Sequence, residues 1–544
     1  MQENHYAETG ASHVHSACRY CSRKHPMRVL RAFLVFLVFV CVALVALRLT
    51  HALPDRSAIE ETVALPPSAE TRLGRTLAPQ IDLHPGLSGI AALADGRDAL
   101  AVRTLLIRAA EASLDVQYYI WQADTTGWLL LDELRAAADR GVRVRLLLDD
   151  NGIPGLDDVL SALNSHPNFE VRLFNPFMLR QPKLLSYGFD FPRLNRRMHN
   201  KSMTADGLAT IVGGRNVGDI YFAYGEGVAY YDLDLLGVGE IATAVSTDFD
   251  LYWNSDSSYP AEHILPASDT GRGTLATAVD TARQSILGSD YLAAIASSPL
   301  VENLLAGKDI LEWTEAVLVS DDPAKGLGRA ARENLLMERL AEQLSEVEQS
   351  VDVVSAYLIP GKTGSALFED LAKAGQEVRL VTNSLEATDV PVVHSAWMRY
   401  RDQMVAAGVR VLELRSRPDL RAQAEDFTFT QILRGSTSSL HAKTFSIDGR
   451  QVFVGSFNFD PRSAALNTEM GILFDSPAIA QRLSRSLDEM SLVYDVKATE
   501  SGGIEWHELT SNGETVVHDS EPRTSFILRA FVRAGSWLPI EWML

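Results

Sequence analysis

Two duplicated α/β domains, packed about a pseudo-twofold axis and preceded by an N-terminal transmembrane helix, are the architecture this sequence predicts. Three observations carry that expectation. The motif His-x-Lys-x4-Asp occurs at residues 199–206 and again at 441–448, 242 positions later (441 − 199). Strand and helix patterns ahead of the two copies repeat at nearly the same interval, which marks an internal duplication. One unbroken apolar run, residues 32–47, follows Arg23, Lys24, Arg28 and Arg31.

Residues 1–31 read as a basic cytoplasmic tail. Within it Cys18-Arg19-Tyr20-Cys21, near His13, His15 and His25, has metal-like spacing. With no second CxxC and no surrounding core it reads as a free tail rather than a zinc site. Residues 32–49 read as a signal anchor; the run is slightly short of the roughly 20 residues that span a bilayer, and Val29, Leu30 and Leu49 lengthen it. Its basic flank should stay in the cytoplasm and send the rest of the chain outward across the membrane. A cleaved signal peptide ending near Ala52 is the alternative, for which an extension of about 30 residues is long. Residues 50–85, with Pro54, Pro66, Pro67 and Pro79, read as a tether that lifts the body off the membrane.

The rest divides into a first domain, 86–300, and a second, 301–544, with a C-terminal tail. Residues 101–112 have helical periodicity and 113–121 read as a strand. Residues 127–140 form an amphipathic helix, and 142–148 a buried strand ending at Asp149-Asp150. Ser350-Val-Asp-Val-Val repeats Ser113-Leu-Asp-Val-Gln at an interval of 237 (350 − 113), and Gly364 repeats Gly127 at the same interval. Strands alternating with helices predict mostly parallel or mixed sheets covered by helices. Residues 255–345 lack the motif and read as largely helical packing, with loops at 255–260 and 321–328.

The net charge of −20 argues against a surface built to wrap nucleic acid, which needs dense Lys and Arg, though a local basic pocket is compatible with it. All three cysteines precede residue 42, so no disulfide framework holds the body.

The paired motifs point to phosphodiester chemistry at one site built from both domains. A phosphodiester repels nucleophiles, so a site must neutralise its charge, supply a nucleophile and protonate the departing alkoxide. Lys201 and Lys443 supply charge, and Asn216 and Asn458 can donate to the non-bridging oxygens. One of His199 and His441 attacks phosphorus, and the other is the general acid. Strand alternation puts His and Lys, two apart, on one face. Asp206 and Asp448 complete the catalytic motifs and fall at hairpin turns, which gives them a structural role. Gly214 and Ser456 follow in glycine turns (Gly213-Gly214-Arg215-Asn216, Gly455-Ser456-Phe457-Asn458), and only Ser456 offers a hydroxyl to the phosphate. Asp234 and Glu469, paired at an interval of 235, are the candidates to orient the imidazoles.

These motifs resemble the phospholipase D superfamily. With residues 113–121 and 140–150, and Leu538-Pro-Ile-Glu541 near the C-terminus, the resemblance narrows to bacterial cardiolipin synthases of the C type and spans roughly residues 85–544. It implies a transphosphatidylation without metal or cofactor, which makes cardiolipin from phosphatidylglycerol and a second lipid, phosphatidylethanolamine. It also implies His199 as nucleophile and His441 as acid and base. Hydrolysis, with water as acceptor, needs the same residues, and a nuclease of the same superfamily is disfavoured by the acidic balance.

Other residues read less sharply. Asp149-Asp150 reads as a solvated strand end or helix cap rather than a metal site. Gln117, Tyr119, Tyr357 and His394 either line the cleft or pack. Arg193, Arg196 and Arg197 either meet anionic headgroups or form a solvated face. Trp537, Leu538 and Trp542 either dip into a membrane interface or cap the core.

Overall fold

The computed structural model describes residues 24–222, 229–298, 303, 310–416, 438–488, 492–510 and 512–544. Cys18, Cys21 and most of the basic tail lie outside them. Two compact units emerge: Met1–Leu53 with Met178–Phe191, and Pro54–Phe177 with Pro192–Leu544.

In the first unit the helix Lys24–Thr50 carries the apolar run. Its stretch Val29–Thr50, 22 residues with none buried, is long and apolar enough to cross a membrane. At 1.5 Å per residue that is about 33 Å, against a hydrocarbon core of about 30 Å.

The second unit contains both motif halves. The first half is a nine-stranded mixed sheet. Its strands are β1 (Ser88–Leu93), β2 (Ser113–Tyr118), β3 (Arg143–Asp149), β4 (Phe169–Phe174), β5 (Ser202–Ala205), β6 (Ala209–Gly213), β8 (Asp234–Gly239), β9 (Ser258–Pro260) and β10 (Glu312–Thr314). A short β7 (Ala229–Tyr231) lies outside this sheet. The second half holds β11 (Ala316–Ser320), β12 (Ser350–Ser355), β13 (Glu377–Asn383), β14 (Arg410–Leu414), β16 (Lys443–Ile447), β17 (Gln451–Gly455), β18 (Met470–Asp475), β19 (Val493–Ala498), β20 (Ile504–Leu509) and β21 (Thr515–His518), while β15 (Ser438–Leu440) pairs elsewhere.

The order β1-β8-β6-β5-β2-β3-β4-β9 in one sheet is matched by β11-β18-β17-β16-β12-β13-β14-β19 in the other. In each, a three-stranded parallel core (β2-β3-β4, β12-β13-β14) adjoins antiparallel hairpins that carry the motifs. Parallel neighbours need crossovers, supplied by helices Thr125–Asp139 and Asp157–Asn164 in the first half and by Gly361–Ala374 and Pro391–Ala406 in the second. β2 is buried at all six positions even though its sequence, Ser-Leu-Asp-Val-Gln-Tyr, alternates polar and apolar residues, because both faces of the sheet are covered.

The halves share a core. Val212, Leu235, Ile241 and Val245 join Val452, Val454, Met470, Ile472 and Phe474 in one buried cluster. They are also stitched reciprocally. Met198, just before His199, bridges Thr468, just before Glu469. Leu440, just before His441, pairs with Tyr231, just before Asp232. Reciprocal contacts of this kind are what a twofold relation requires.

Three boundaries differ from the sequence expectation. Residues 50–85 are not a free tether. Arg56 donates to the carbonyls of Ser258 and Asn254, the Thr62 N–H reaches Asn254 Oδ1 (3.3 Å), and the Ala64 N–H reaches Asp250 Oδ2 (2.7 Å). A helix, Arg72–Leu83, follows with Thr71 as its cap. The helix Glu240–Trp253 and the turn after it supply side-chain acceptors for this proline-rich chain, which composition could not reveal. The passage between halves falls at Glu315, between β10 and β11, not at 300, because β10 completes the first sheet by pairing with β1. The expected loop at 255–260 contains β9, which pairs with β4.

Candidate active site

Each motif hairpin turns at an Asp-Gly pair with positive φ: Asp206 and Gly207 (52° and 66°), and Asp448 and Gly449 (52° and 60°). The Asp206 carboxylate accepts the backbone N–H groups of Glu111, Ala112 and Ser113 at 2.8–3.2 Å, and Asp448 accepts those of Glu348, Gln349 and Ser350 at 2.7–3.1 Å. Each aspartate ties its turn to the start of β2 or β12, and its hydrogen bonds among the described residues go to backbone N–H groups rather than to an imidazole.

The two imidazoles are held across the halves. His199 Nδ1 lies 2.8 Å from Glu469 Oε2, and His441 Nδ1 lies 2.6 Å from Asp232 Oδ2. The backbone stitching explains this crossing, since it sets the residue before each histidine beside the residue before the opposing carboxylate. Asp234, expected to orient an imidazole, does something else. It pairs with Arg103 (2.8 Å) and Arg215 (3.3 Å), all three buried. Strand register gives the reason. Gly213 faces Asp234 and Gly455 faces Gly471, so Asp232 is the counterpart of Glu469. Their interval, 237 (469 − 232), is that of the strand repeat; the 235 pairing was displaced by one pleat.

Gly214 and Ser456 also serve the carboxylates. A Cβ on Gly214 would stand 2.1 Å from Asp232 Oδ1, so only glycine lets the shorter aspartate approach. The Ser456 hydroxyl donates to Glu469 Oε2 at 2.5 Å and is fully buried. Its expected place at the phosphate is therefore corrected: the hydroxyl is spent on the carboxylate. Asp321 adds a further support missed in the sequence. Its Oδ2 accepts the Glu469 N–H (2.9 Å) and the Lys325 ammonium (2.7 Å).

Lys201 donates to the His199 carbonyl at 2.5 Å, and Lys443 to the His441 carbonyl. The Tyr119 ring meets His199 edge-on with centroids 4.9 Å apart, and Tyr221 meets His441 at 5.2 Å. Nothing in the spacing singled out Tyr221. Asn216 Oδ1 accepts the Ile120 N–H (3.2 Å), leaving Nδ2 buried with no protein partner. Asn458 Oδ1 is likewise buried and unpartnered.

Burial, then the charges of Lys201 and Lys443, pushes His199 well below the ordinary histidine range. Burial and Lys443 push His441 down to about 3, against the pull of Asp232. Each lysine thus acts on the histidine of the other half, and the two motifs form one site. Both lysines are lowered by burial. Burial works to raise Asp232, but His441 and Lys443 outweigh it and hold the carboxyl below its usual range. Burial raises Glu469 to about 7 despite Lys201. The resting site holds neutral imidazoles, each bonded to a carboxylate of the other half through Nδ1.

Other candidates fall outside this cluster. Asp149 is buried rather than solvated, and it caps the short helical turn Asp150–Gly152 by accepting the Asn151 N–H (2.9 Å). It pairs with Arg197 (2.7 Å) and accepts the Met198 N–H (2.9 Å), which anchors the approach to His199. Arg197 is therefore an internal support, Arg196 donates to the carbonyls of Lys325 and Ala465, and Arg193 to that of Pro176. Gln117 bonds Ser202 (3.0 Å), Tyr357 bonds Asp389 (2.9 Å), and His394 joins Glu521 (3.2 Å) in a buried network with Arg401 and Glu413.

Residues 104–233 and 340–491, which contain both motifs, match the family model described as "Cardiolipin synthase, PLD-like domain". The chain belongs to this phospholipase D-like family. Cardiolipin synthase C of Escherichia coli strain K12 is 43% identical over 87% of this chain and 100% of its own length. A cardiolipin synthase of Staphylococcus aureus strain Mu50 is 26% identical over 71% of this chain and 64% of its own length. A crystal structure of phosphatidylserine synthase from Haemophilus influenzae Rd KW20 superposes with a TM-score of 0.53 at 14% identity, covering 87% of this chain and all of that one; it shows a shared fold. Membership in this family of enzymes, with the apolar helix, marks the chain as a membrane protein that acts on phospholipids.

Proposed function

We propose that the protein is a phosphatidyltransferase that makes cardiolipin from phosphatidylglycerol and phosphatidylethanolamine through a phosphatidyl-histidine. The observation that carries this reading is the crossed pair of histidine–carboxylate bonds, which holds both imidazoles through Nδ1 beside two lysines. His199 Nε2 attacks the phosphorus of phosphatidylethanolamine, the P–O bond to ethanolamine breaks, and His441 protonates the departing oxygen. Lys201 and Lys443 balance the phosphate charge, and Asn216 Nδ2 finds in a non-bridging oxygen the acceptor it lacks. An anionic phosphate offsets the lysine charge that depresses His441, so substrate binding favours the protonated acid. Neutral His441 then takes the proton of a phosphatidylglycerol hydroxyl, whose oxygen displaces His199.

The same residues hydrolyse the intermediate if water arrives first, so the test is the product. Purified protein in vesicles of phosphatidylglycerol, with and without phosphatidylethanolamine, should form cardiolipin and release ethanolamine. Phosphatidic acid alone would overturn the reading in favour of a phospholipase D. The basic flank of the helix supports an inner-membrane anchor with the catalytic unit on the periplasmic side; a reporter fused to the C-terminus that is active only in the cytoplasm would contradict it.

A further inference from the structure

The C-terminal segment leaves a large apolar face uncovered. The helix Phe526–Gly535, capped by Ser525, buries only Val532 fully. Phe526, Ile527 and Phe531 are exposed, as are Trp537, Leu538 and Trp542, with Phe526 at 77%, Trp537 at 81% and Trp542 at 57%. At 100° per residue, Phe526, Ile527, Ala530, Phe531 and Ala534 share one arc, and Arg529 and Arg533 lie along its edge. Soluble surfaces rarely carry such a contiguous patch without a partner.

The segment is nonetheless firmly seated. Glu541 accepts from the Tyr400 hydroxyl (2.6 Å) and pairs with Arg399 (3.2 Å). Arg462 donates to the Met543 carbonyl (3.0 Å), and the Arg462 N–H to that of Leu544 (3.0 Å). The same guanidinium bonds Asn195, and its charge reaches His199. The exposed tail is thus fastened to a residue at the edge of the catalytic cluster.

We infer that residues 526–542 form a second membrane contact, an interfacial helix and tryptophan pair that lies in the headgroup region of an anionic phospholipid bilayer beside the catalytic cleft. Three features favour a bilayer over a second copy of the chain. Tryptophan combines an apolar body with an N–H donor, which suits the boundary between acyl chains and water. Arginine can lay its stem along the apolar arc and offer its charge to phosphates, an attraction that runs against the chain's overall −20. Only residues 51–55 separate Thr50, the end of the apolar helix, from Arg56, which is bonded to Ser258 and Asn254. That is a leash of about 20 Å at most, so a bilayer that holds the helix is offered to the rest of the chain at high effective concentration.

The test is tryptophan quenching in proteoliposomes of phosphatidylglycerol and phosphatidylethanolamine that contain brominated acyl chains. The apolar helix has no tryptophan, Trp121, Trp253, Trp397 and Trp506 are buried, and Trp537 and Trp542 are the two most exposed of the eight. Quenching should appear in the full chain and fall to background in Trp537→Phe/Trp542→Phe. No quenching in the full chain, or equal quenching in the double variant, overturns the inference, whatever the enzyme's product. Phe531→Asp, an exposed change, should lower turnover of bilayer lipid about tenfold or more and leave turnover of a monomeric short-chain substrate unchanged. Equal loss on both substrates, or cross-linking of two copies through position 537 with no quenching, counts against a bilayer.

Discussion

Asp232 and Asp234 stand one pleat apart, and the structure gives them opposite duties that two substitutions separate. Asp232→Asn keeps the shape but replaces an ionised acceptor at 2.6 Å from His441 Nδ1 with an amide that can hold the ring in the wrong tautomer. In a serine-protease triad the equivalent change costs about 10⁴ in kcat; a loss of about 10³–10⁴ is expected here, or about 4–5.5 kcal/mol of barrier. Folding should be little affected. Asp234→Asn instead leaves Arg103 and Arg215, both about 2% exposed, without their carboxylate. Breaking a buried pair costs about 3–5 kcal/mol, which for a domain of this size lowers Tm by on the order of 10 °C. Arg103 retains Tyr118 and the Ala99 carbonyl, which keeps the loss toward the lower end. The assays are cardiolipin formation in vesicles and thermal unfolding of the same preparations. If Asp234→Asn abolishes turnover at unchanged Tm while Asp232→Asn remains active, the orienting assignment is refuted.

Three further outcomes are expected. Gly214→Ser should nearly abolish turnover because its Cβ meets Asp232, whereas Ser456→Gly, which removes one hydrogen bond to Glu469, should cost about 10–100-fold; equal effects would show that the two turns are not specialised. Glu469, raised to about 7 by burial, holds its proton in the folded state above the range where the unfolded chain loses it. Stability should therefore fall between about pH 4.5 and 7 by up to about 3 kcal/mol, and Glu469→Gln should flatten that slope, as urea titrations across pH would show. Chelators should leave turnover unchanged, and inhibition restored by a divalent metal would contradict the lysine-based account.

Much of the fold was legible because duplication doubles every signal. Ser113 and Ser350 open equivalent strands, Gly127 and Gly364 lie in equivalent helices, and the two Asp-Gly turns occupy equivalent hairpins. Pairing across the halves was not legible. The interval rises from 237 at Ser113 and Ser350 to 242 at the motifs because Ser350 to His441 is longer than Ser113 to His199, and it returns to 237 because Gly213 to Asp232 is longer than Gly455 to Glu469, which obscured the match of Asp232 to Glu469. The interval of 237 was the available signal. Asp321 and Tyr221 lie outside every repeat, so only tertiary contact reveals them. The proline-rich stretch after the apolar helix shows the converse: composition suggests a linker, but acceptors far along the chain dock it.

The central claim is one composite site in which His199 becomes covalently phosphatidylated and His441 completes the transfer. Base-quenched protein, incubated with phosphate-labelled phosphatidylethanolamine and digested, tests it most directly. The account predicts label on the peptide containing His199, label that accumulates in His441→Ala, and none in His199→Ala. Label that persists in His199→Ala would move the nucleophile to His441, and a turning-over enzyme with label on neither histidine would contradict the covalent mechanism.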